Sequence, residues 1–345
     1  MLRYFVLLAV LICTAVAARA ADNAGYYQGK LGSKQTITLR INAAEFGWAG
    51  QYRYTKYGSP IWLSWETGHD DNAEIQFKEI VPHATDVSPG HFHGSIDASH
   101  AFVGHWTSAD GKRVLPFQLE RTADLIQFDS RLPRYRVQRS APQFIARTPF
   151  YTALNAMLLK EAKDAQAASV AEFEKSMRDL DDSASWSRST NIDVVYADAN
   201  LVSLNYERYE FTGGAHGNIA YDSAIYTWRD NTLVELDVKK DLLRGNSRSA
   251  IAALLVQDLK RQKAGWTDNA KDMKLTEMVI NPTNAGLVFT FGPYEVDCYA
   301  AGTYTVMLPY KSLAGLIKPD GALERFVDPQ AAKPASDGGS ASVEQ

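Results

Sequence analysis

The sequence predicts an α+β protein: an N-terminal all-β meander or small barrel, followed by an α+β domain with helices packed on an antiparallel sheet. Two observations carry this expectation. Between residues 25 and 121, short alternating runs recur at even spacing with turn residues between them, and no stretch shows convincing helical periodicity. Beyond residue 147, a helical stretch followed by strands occurs twice, the order that sets helices on one face of a sheet. A chain of 345 residues is long enough for two domains. We divide it into a signal segment (1–20), a β-rich domain (21–130), an α+β domain (131–328) and a disordered tail rich in Ala, Ser, Gly and Asp (329–345).

The N-terminus reads as an export signal. Arg3 supplies the positive charge, Phe5 to Val16 a short apolar core, and Ala18-Arg19-Ala20 a small-x-small cleavage site. The expectation is cleavage near Ala20 and a periplasmic or secreted protein. Cys13 follows Ile12, where a lipid-attachment box carries a small residue, so lipidation is not expected. The apolar run is too short for a comfortable membrane span, and no other segment is a candidate, which argues against stable membrane insertion. Losing Arg3 and Arg19 takes the formal net charge from −4 to a more negative value. With no basic footprint, nucleic acid is not an expected partner. The remaining chain keeps one cysteine, Cys298, and so forms no internal disulfide. Its aromatic neighbourhood (Tyr294, Tyr299, Tyr304) points to a buried, inert thiol.

In the first domain, Gln35 to Ile41 alternates cleanly, with Ile37, Leu39 and Ile41 on one face and Thr36, Thr38 and Arg40 on the other. Trp48 to Tyr57, Ile61 to Trp65, Glu74 to Ile80, His91 to Ile96, Phe102 to Thr107 and Leu115 to Arg121 are the further strands. Tyr57-Gly58-Ser59-Pro60, Ser88-Pro89-Gly90 and Ala109-Asp110-Gly111-Lys112 are the turns. Gly90 and Gly94 have the spacing of a membrane-helix motif but lie on a strand. Asp124 to Arg147, with Pro133, Pro142, Arg131, Arg134, Arg136 and Arg139, reads as a solvated connection or a basic patch.

Thr148-Pro149 is a helix start, Thr as N-cap and Pro at the first helical position. Phe150, Leu154, Met157, Leu158 and Ala162 continue it at helical spacing, and the alanine-rich stretch to Leu180 extends it or forms a second helix. After a polar loop at Asp179 to Ser189, strands are expected over Asn191–Tyr196, Leu201–Phe211, Ile219–Trp228 and Thr232–Leu236. A helix over Arg248–Lys263 follows, then strands over Lys274–Ile280, Leu287–Phe291 and Thr303–Leu308, and a short helix over Tyr310–Ile317.

Familiar catalytic signatures are missing: there is no Gly-x-Ser-x-Gly elbow, His-Glu-x-x-His pair, phosphate loop or Rossmann fingerprint. No catalytic residue, metal site or cofactor is assigned. Two histidine arrangements merit attention. His91 and His93 share one face of a strand, so they can present two imidazoles to a metal or simply be polar surface. They belong to a run that includes His83, His100 and His105. His216 sits among Gly213, Gly214 and Gly217 in a sharp turn between two strands. It serves either as a general base with Glu210, Asp222 or Glu295, or as a structural residue bonded to its own turn. Asp70-Asp71-Asn72 lacks the glycine and glutamate of a calcium loop. Trp48, Tyr52, Tyr54, Tyr57, Trp62 and Trp65 offer rings for a core or for sugar and protein binding.

The segment from Tyr209 to Gly217, with its Thr-Gly-Gly-Ala-His-Gly turn, resembles the RsiV-like and PdaC-like bacterial extracytoplasmic domains of unknown function. Pro293-Tyr294-Glu295, Ala300-Ala301-Gly302 and Leu308-Pro309-Tyr310 add to the likeness, which covers about residues 135–320 and leaves out the β-rich domain. The resemblance implies an α+β domain outside the cytoplasm that binds a lysozyme-like cell-wall enzyme or a peptidoglycan fragment. It points to Tyr209, Thr212, Gly213, Gly214, His216, Tyr294, Glu295 and Tyr310 as the ligand-binding surface. An anti-sigma segment and a deacetylase domain, which accompany the motif elsewhere, have no counterpart here. The expected function is therefore an exported binding protein. An envelope-polymer hydrolase or deacetylase using His216 and a metal-binding protein using His91 and His93 are the alternatives.

Overall fold

The computed structural model describes residues 19–43, 49–66, 74–80, 89–177 and 185–327. Phe5 to Val16, Cys13, Trp48, Asp70-Asp71-Asn72, His83, Ser88, the start of the expected polar loop and the tail from 328 lie outside them. Eight strands open the fold: β1 (Arg19–Leu31), β2 (Gln35–Ile41), β3 (Gly50–Tyr54), β4 (Ile61–Trp65), β5 (Ile75–Ile80), β6 (His91–Ile96), β7 (Phe102–Thr107) and β8 (Val114–Leu132). Each pairs antiparallel with the next, and β8 returns to β1, with Leu31 opposite Phe117. The meander is thus a closed barrel, which leaves no free edge. Ile37, Leu39 and Ile41 point inward as the alternation requires, packing with Tyr27, Tyr52, Phe77, Phe92, Phe102 and Phe117. The interior is a filled core. Gly94 and Gly104 face each other across β6 and β7. A Cβ on either would lie 2.8 Å from the tip of the Phe117 ring, so this glycine pair makes room for the aromatic core.

β8 outruns the barrel. Its second half pairs antiparallel with β9 (Tyr135–Phe144), from Ala123 opposite Phe144 to Leu132 opposite Tyr135. The expected connection is therefore a hairpin, and its arginines form no patch. Arg131 and Arg136 both pair with Asp129, at 2.7 and 2.8 Å; Arg134 donates to the Met177 carbonyl at 2.7 Å; Arg139 is buried.

Helix α1 (Pro149–Ser176) is one helix, started by Thr148, whose Oγ1 accepts from the Tyr151 amide at 3.2 Å. It buries Leu154, Leu158, Ala162 and Phe173 and returns the chain so that β10 (Trp186–Ala197) runs parallel to β9. β11 (Leu201–Phe211), β12 (Asn218–Arg229) and β13 (Thr232–Glu235) continue antiparallel. The sheet under α1 is thus mixed rather than wholly antiparallel, because a helical crossover joins two of its neighbours. Residues 186–189, expected in a loop, belong to β10.

A second, three-stranded antiparallel sheet contains β14 (Val279–Pro282), β15 (Gly286–Phe291) and β16 (Tyr304–Pro309). Helix α2 (Arg248–Arg261) shares its core through Leu255, Leu259, Ile280, Phe289 and Val306. The strand expected from Lys274 starts only at Val279, because Lys274 and Glu277 close a turn on each other (2.6 Å). The last expected helix is a single turn, Tyr310–Leu313. This sheet lies on β10–β12, where Asn281 Nδ2 donates to Ser203 Oγ at 3.0 Å and to the Leu204 carbonyl at 2.8 Å.

The outer face of β2 and β3 is buried against β10. Arg53 ion-pairs with Asp193 at 2.5 Å. Arg40 donates to Ser140 Oγ at 3.0 Å and to Asn191 Oδ1 at 3.4 Å. The Tyr26 hydroxyl donates to the Ile192 carbonyl. Barrel and α+β portion therefore share a buried polar seam. Among the described residues, no helix is long and apolar enough to cross a membrane.

Candidate binding surface at the His216 turn

β11 and β12 pair as far as Glu210 opposite Asn218, and the chain reverses between them. Gly213 (φ 104°) and Gly214 (φ 92°) occupy backbone conformations that L side chains rarely adopt, with open space around both. Glycine is required there for the turn's shape and not for packing. Gly217 is different: a Cβ would come within 2.4 Å of the Tyr209 ring, which covers it.

His216 stacks on Tyr299, with centroids 3.8 Å apart and planes at 19°. Its Nδ1 lies 2.9 Å from the Gly217 carbonyl, and the Tyr299 hydroxyl donates to the same oxygen at 2.6 Å. A carbonyl only accepts, so Nδ1 carries a proton and Nε2 is the acceptor of the neutral ring. Tyr294 completes the group, 5.6 Å from the Tyr299 ring and 6.5 Å from His216, and is 55% exposed.

The loop bearing these tyrosines is tied at both ends. The Gly292 amide donates to Glu295 Oε2 at 2.9 Å, and Asn269 Nδ2 to the Glu295 carbonyl at 2.9 Å. Asp297 accepts from the Tyr304 hydroxyl (2.8 Å) and the Gly265 amide (2.9 Å), bonds that hold its carboxyl below the usual carboxylate range. Burial raises the Glu295 carboxyl instead. Exposed Trp266 joins this loop through its amide, which donates to the Val296 carbonyl at 2.8 Å. Cys298 is exposed rather than buried, because it caps the short helical turn Tyr299–Ala301, none of whose residues is buried.

The structure brings together Tyr209, His216, Tyr294 and, in the same loop, Glu295. Thr212, Gly213 and Gly214 form the exposed tip. Tyr310 contacts other groups: it is buried, donates to the Thr283 carbonyl at 2.8 Å and stacks on Phe326. The carboxylates considered as partners of His216 bond elsewhere. Glu210 pairs with Arg188 (2.9 Å), Asp222 with Arg208 (3.3 Å) and Glu295 with the Gly292 amide. The residue that sequence reasoning missed is Tyr299, noticed only as a neighbour of Cys298; its spacing from Tyr294 in a glycine-bounded loop was the available signal.

In the barrel, His91 Nδ1 meets Glu66 Oε2 at 2.9 Å, and His93 stacks on His105 at 5.4 Å across β6 and β7. Among the described residues, no group of three or more His, Cys, Asp and Glu is placed to hold a metal ion.

Residues 130–219 match a family model described as "Deacetylase PdaC". Residues 240–311 match one described as "Protein of unknown function (DUF3298)". Two crystal structures are similar. A DUF3298 family member from Bacteroides fragilis is 17% identical, covers 59% of this chain and 96% of its own, and has a TM-score of 0.42. A DUF3298 family protein from Pseudomonas aeruginosa is 20% identical, covers 57% of this chain and 94% of its own, and has a TM-score of 0.41. No curated protein matches. The chain thus carries a PdaC- and DUF3298-like domain of unknown function. Its His216–Tyr299 stack joins a residue of the first matched segment to one of the second.

Proposed function

We propose that this is an exported envelope protein whose RsiV-like domain binds a lysozyme-like cell-wall enzyme or a peptidoglycan fragment through the His216 turn. Support comes from the export signal read in the sequence and from the two matched family segments. The observation that carries the reading is the exposed Tyr294 ring beside the His216–Tyr299 stack, held on a loop tied down by Glu295 and Asp297. A pre-ordered aromatic surface binds with little ordering cost and stacks on a sugar face or a protein side chain. Hydrolase or deacetylase chemistry at His216 gains no support from the geometry, since its Nδ1 faces a carbonyl and its candidate carboxylates bond elsewhere. The test is retention of the protein on immobilised lysozyme and on insoluble peptidoglycan, before and after Tyr294→Ala. Retention by either matrix that Tyr294→Ala abolishes is the expected result. No retention by both, or retention indifferent to the substitution, would sink the reading.

A further inference from the structure

Where the barrel meets both sheets of the α+β portion, the structure holds a partly open cavity of about 120 Å³. Its wall draws Arg40, Arg53 and Trp62 from the barrel, and Asp193 and Glu207 from β10 and β11. Thr290 and Thr305 come from the second sheet, with Thr303 immediately before β16. None of these residues belongs to the His216 turn, so the cavity is independent of the surface proposed above.

The wall chemistry is specific in kind. Two guanidinium groups are met by two carboxyl groups, and Arg53 and Asp193 form an ion pair. The Arg53–Asp193 pair thus leaves no countercharge of its own for a strongly charged guest. An apolar guest would strand hydroxyl, amide and charged groups without partners, which is costly. Unmet hydrogen-bonding capacity lies within the wall residues: among the described residues, the buried atoms Arg53 Nε, Asp193 Oδ1 and Asn205 Oδ1 have no hydrogen-bond partner. A guest with closely spaced hydroxyls, each both donor and acceptor, can draw these side chains toward itself and satisfy them. Thr290 and Thr305 add hydroxyls to the wall, the Thr303 hydroxyl being engaged with that of Tyr221 at 2.9 Å, and Trp62 supplies a ring for the apolar face of a sugar. The volume suits one small molecule rather than a polymer chain.

We infer that this junction cavity is a binding site for an uncharged polyhydroxylated small molecule, a single sugar ring or a small polyol. The site needs the full chain, because the barrel, the first sheet and the second sheet each contribute wall.

The test is calorimetric titration and thermal shift of the full chain with neutral hexoses, N-acetylhexosamines, small polyols, sugar acids and amino acids. Quenching of tryptophan fluorescence gives a second readout. The expected result is saturable binding of a neutral sugar or polyol with a dissociation constant below about 1 mM. Thr305→Phe, which fills the space, and Asn205→Ala, which removes an acceptor, should each weaken it at least about tenfold while the protein still melts cooperatively. His216→Ala should leave it unchanged, which separates this site from the turn. Three outcomes would overturn the inference: no saturable sugar or polyol binding, leaving a water-filled cavity; binding that survives both Thr305→Phe and Asn205→Ala; or binding only of charged ligands.

Discussion

The Tyr299 hydroxyl and the His216 imidazole hold the same acceptor, the Gly217 carbonyl, at 2.6 and 2.9 Å, while their rings stack face to face. The turn is thereby fastened to a loop more than eighty residues further along the chain. Tyr299→Phe keeps the stack and removes one bond. It should cost about 0.5–1.5 kcal/mol of stability, readable by denaturant titration. His216→Ala loses both stack and bond and should cost more. If the two variants unfold alike, the shared carbonyl is not what holds the turn.

Among the described residues, no atom lies within 4 Å of a would-be Cβ on Gly213 or Gly214, so alanine there meets strain without a clash. At φ of 104° and 92° each substitution should cost about 1–3 kcal/mol, or else relax the turn. A lowered melting temperature, or altered amide shifts confined to residues 211–218, is the expected outcome. Wild-type stability together with wild-type shifts would contradict the assigned backbone.

The Arg53–Asp193 pair is buried on both sides. Removing one partner leaves the other charge uncompensated, so Asp193→Ala should cost about 3–5 kcal/mol. Replacing both by apolar residues, as in Arg53→Met with Asp193→Leu, should recover much of the loss. Urea titrations of the three variants measure this coupling directly.

Burial raises the Glu207 carboxyl, even though Arg40 and hydrogen bonds with Asn191 and Tyr221 pull it down. The folded state therefore holds this proton more tightly than the unfolded chain does. Below the unfolded pKa, about 4.3, both states are protonated and the group costs nothing. As pH rises through the interval up to the folded pKa, the unfolded chain ionises first and stability falls. Glu207→Gln should remove this contribution and raise stability at neutral pH relative to the wild type. Matched pH–stability curves for the two proteins check it.

Export with processing near Ala20 should yield a mature chain beginning at Ala21, readable by mass spectrometry. Processing there removes the pairs Arg19–Gln127 and Ala20–Ile126, but the barrel should survive, because the pairs from Gly25 opposite Asp124 to Leu31 opposite Phe117 remain.

Much of this architecture was legible because local rules and tertiary structure agree. Ile37, Leu39 and Ile41 alternate into the barrel, Thr148 and Pro149 start α1, and the paired glycines before His216 mark a left-handed turn. What stayed hidden depends on partners distant in sequence. Arg40 and Arg53 occupy the outward faces of β2 and β3, yet β10 covers them; strand alternation reports which face a residue points to, not what lies there. The parallel pairing of β9 with β10 depends on where a 28-residue helix delivers the chain. Cys298 sits among tyrosines in sequence, but the turn that follows it carries the thiol to the surface.

β8 has a kinetic consequence. Its first half closes the barrel against β1, across a loop of nearly a hundred residues, and its second half begins the sheet that α1 covers. Closing so long a loop is slow compared with forming a hairpin. The strand that completes this late step is also the one on which β9 aligns. The two halves should therefore fold and unfold in a single transition, and a chain cut inside β8 should recover neither half at its native rate.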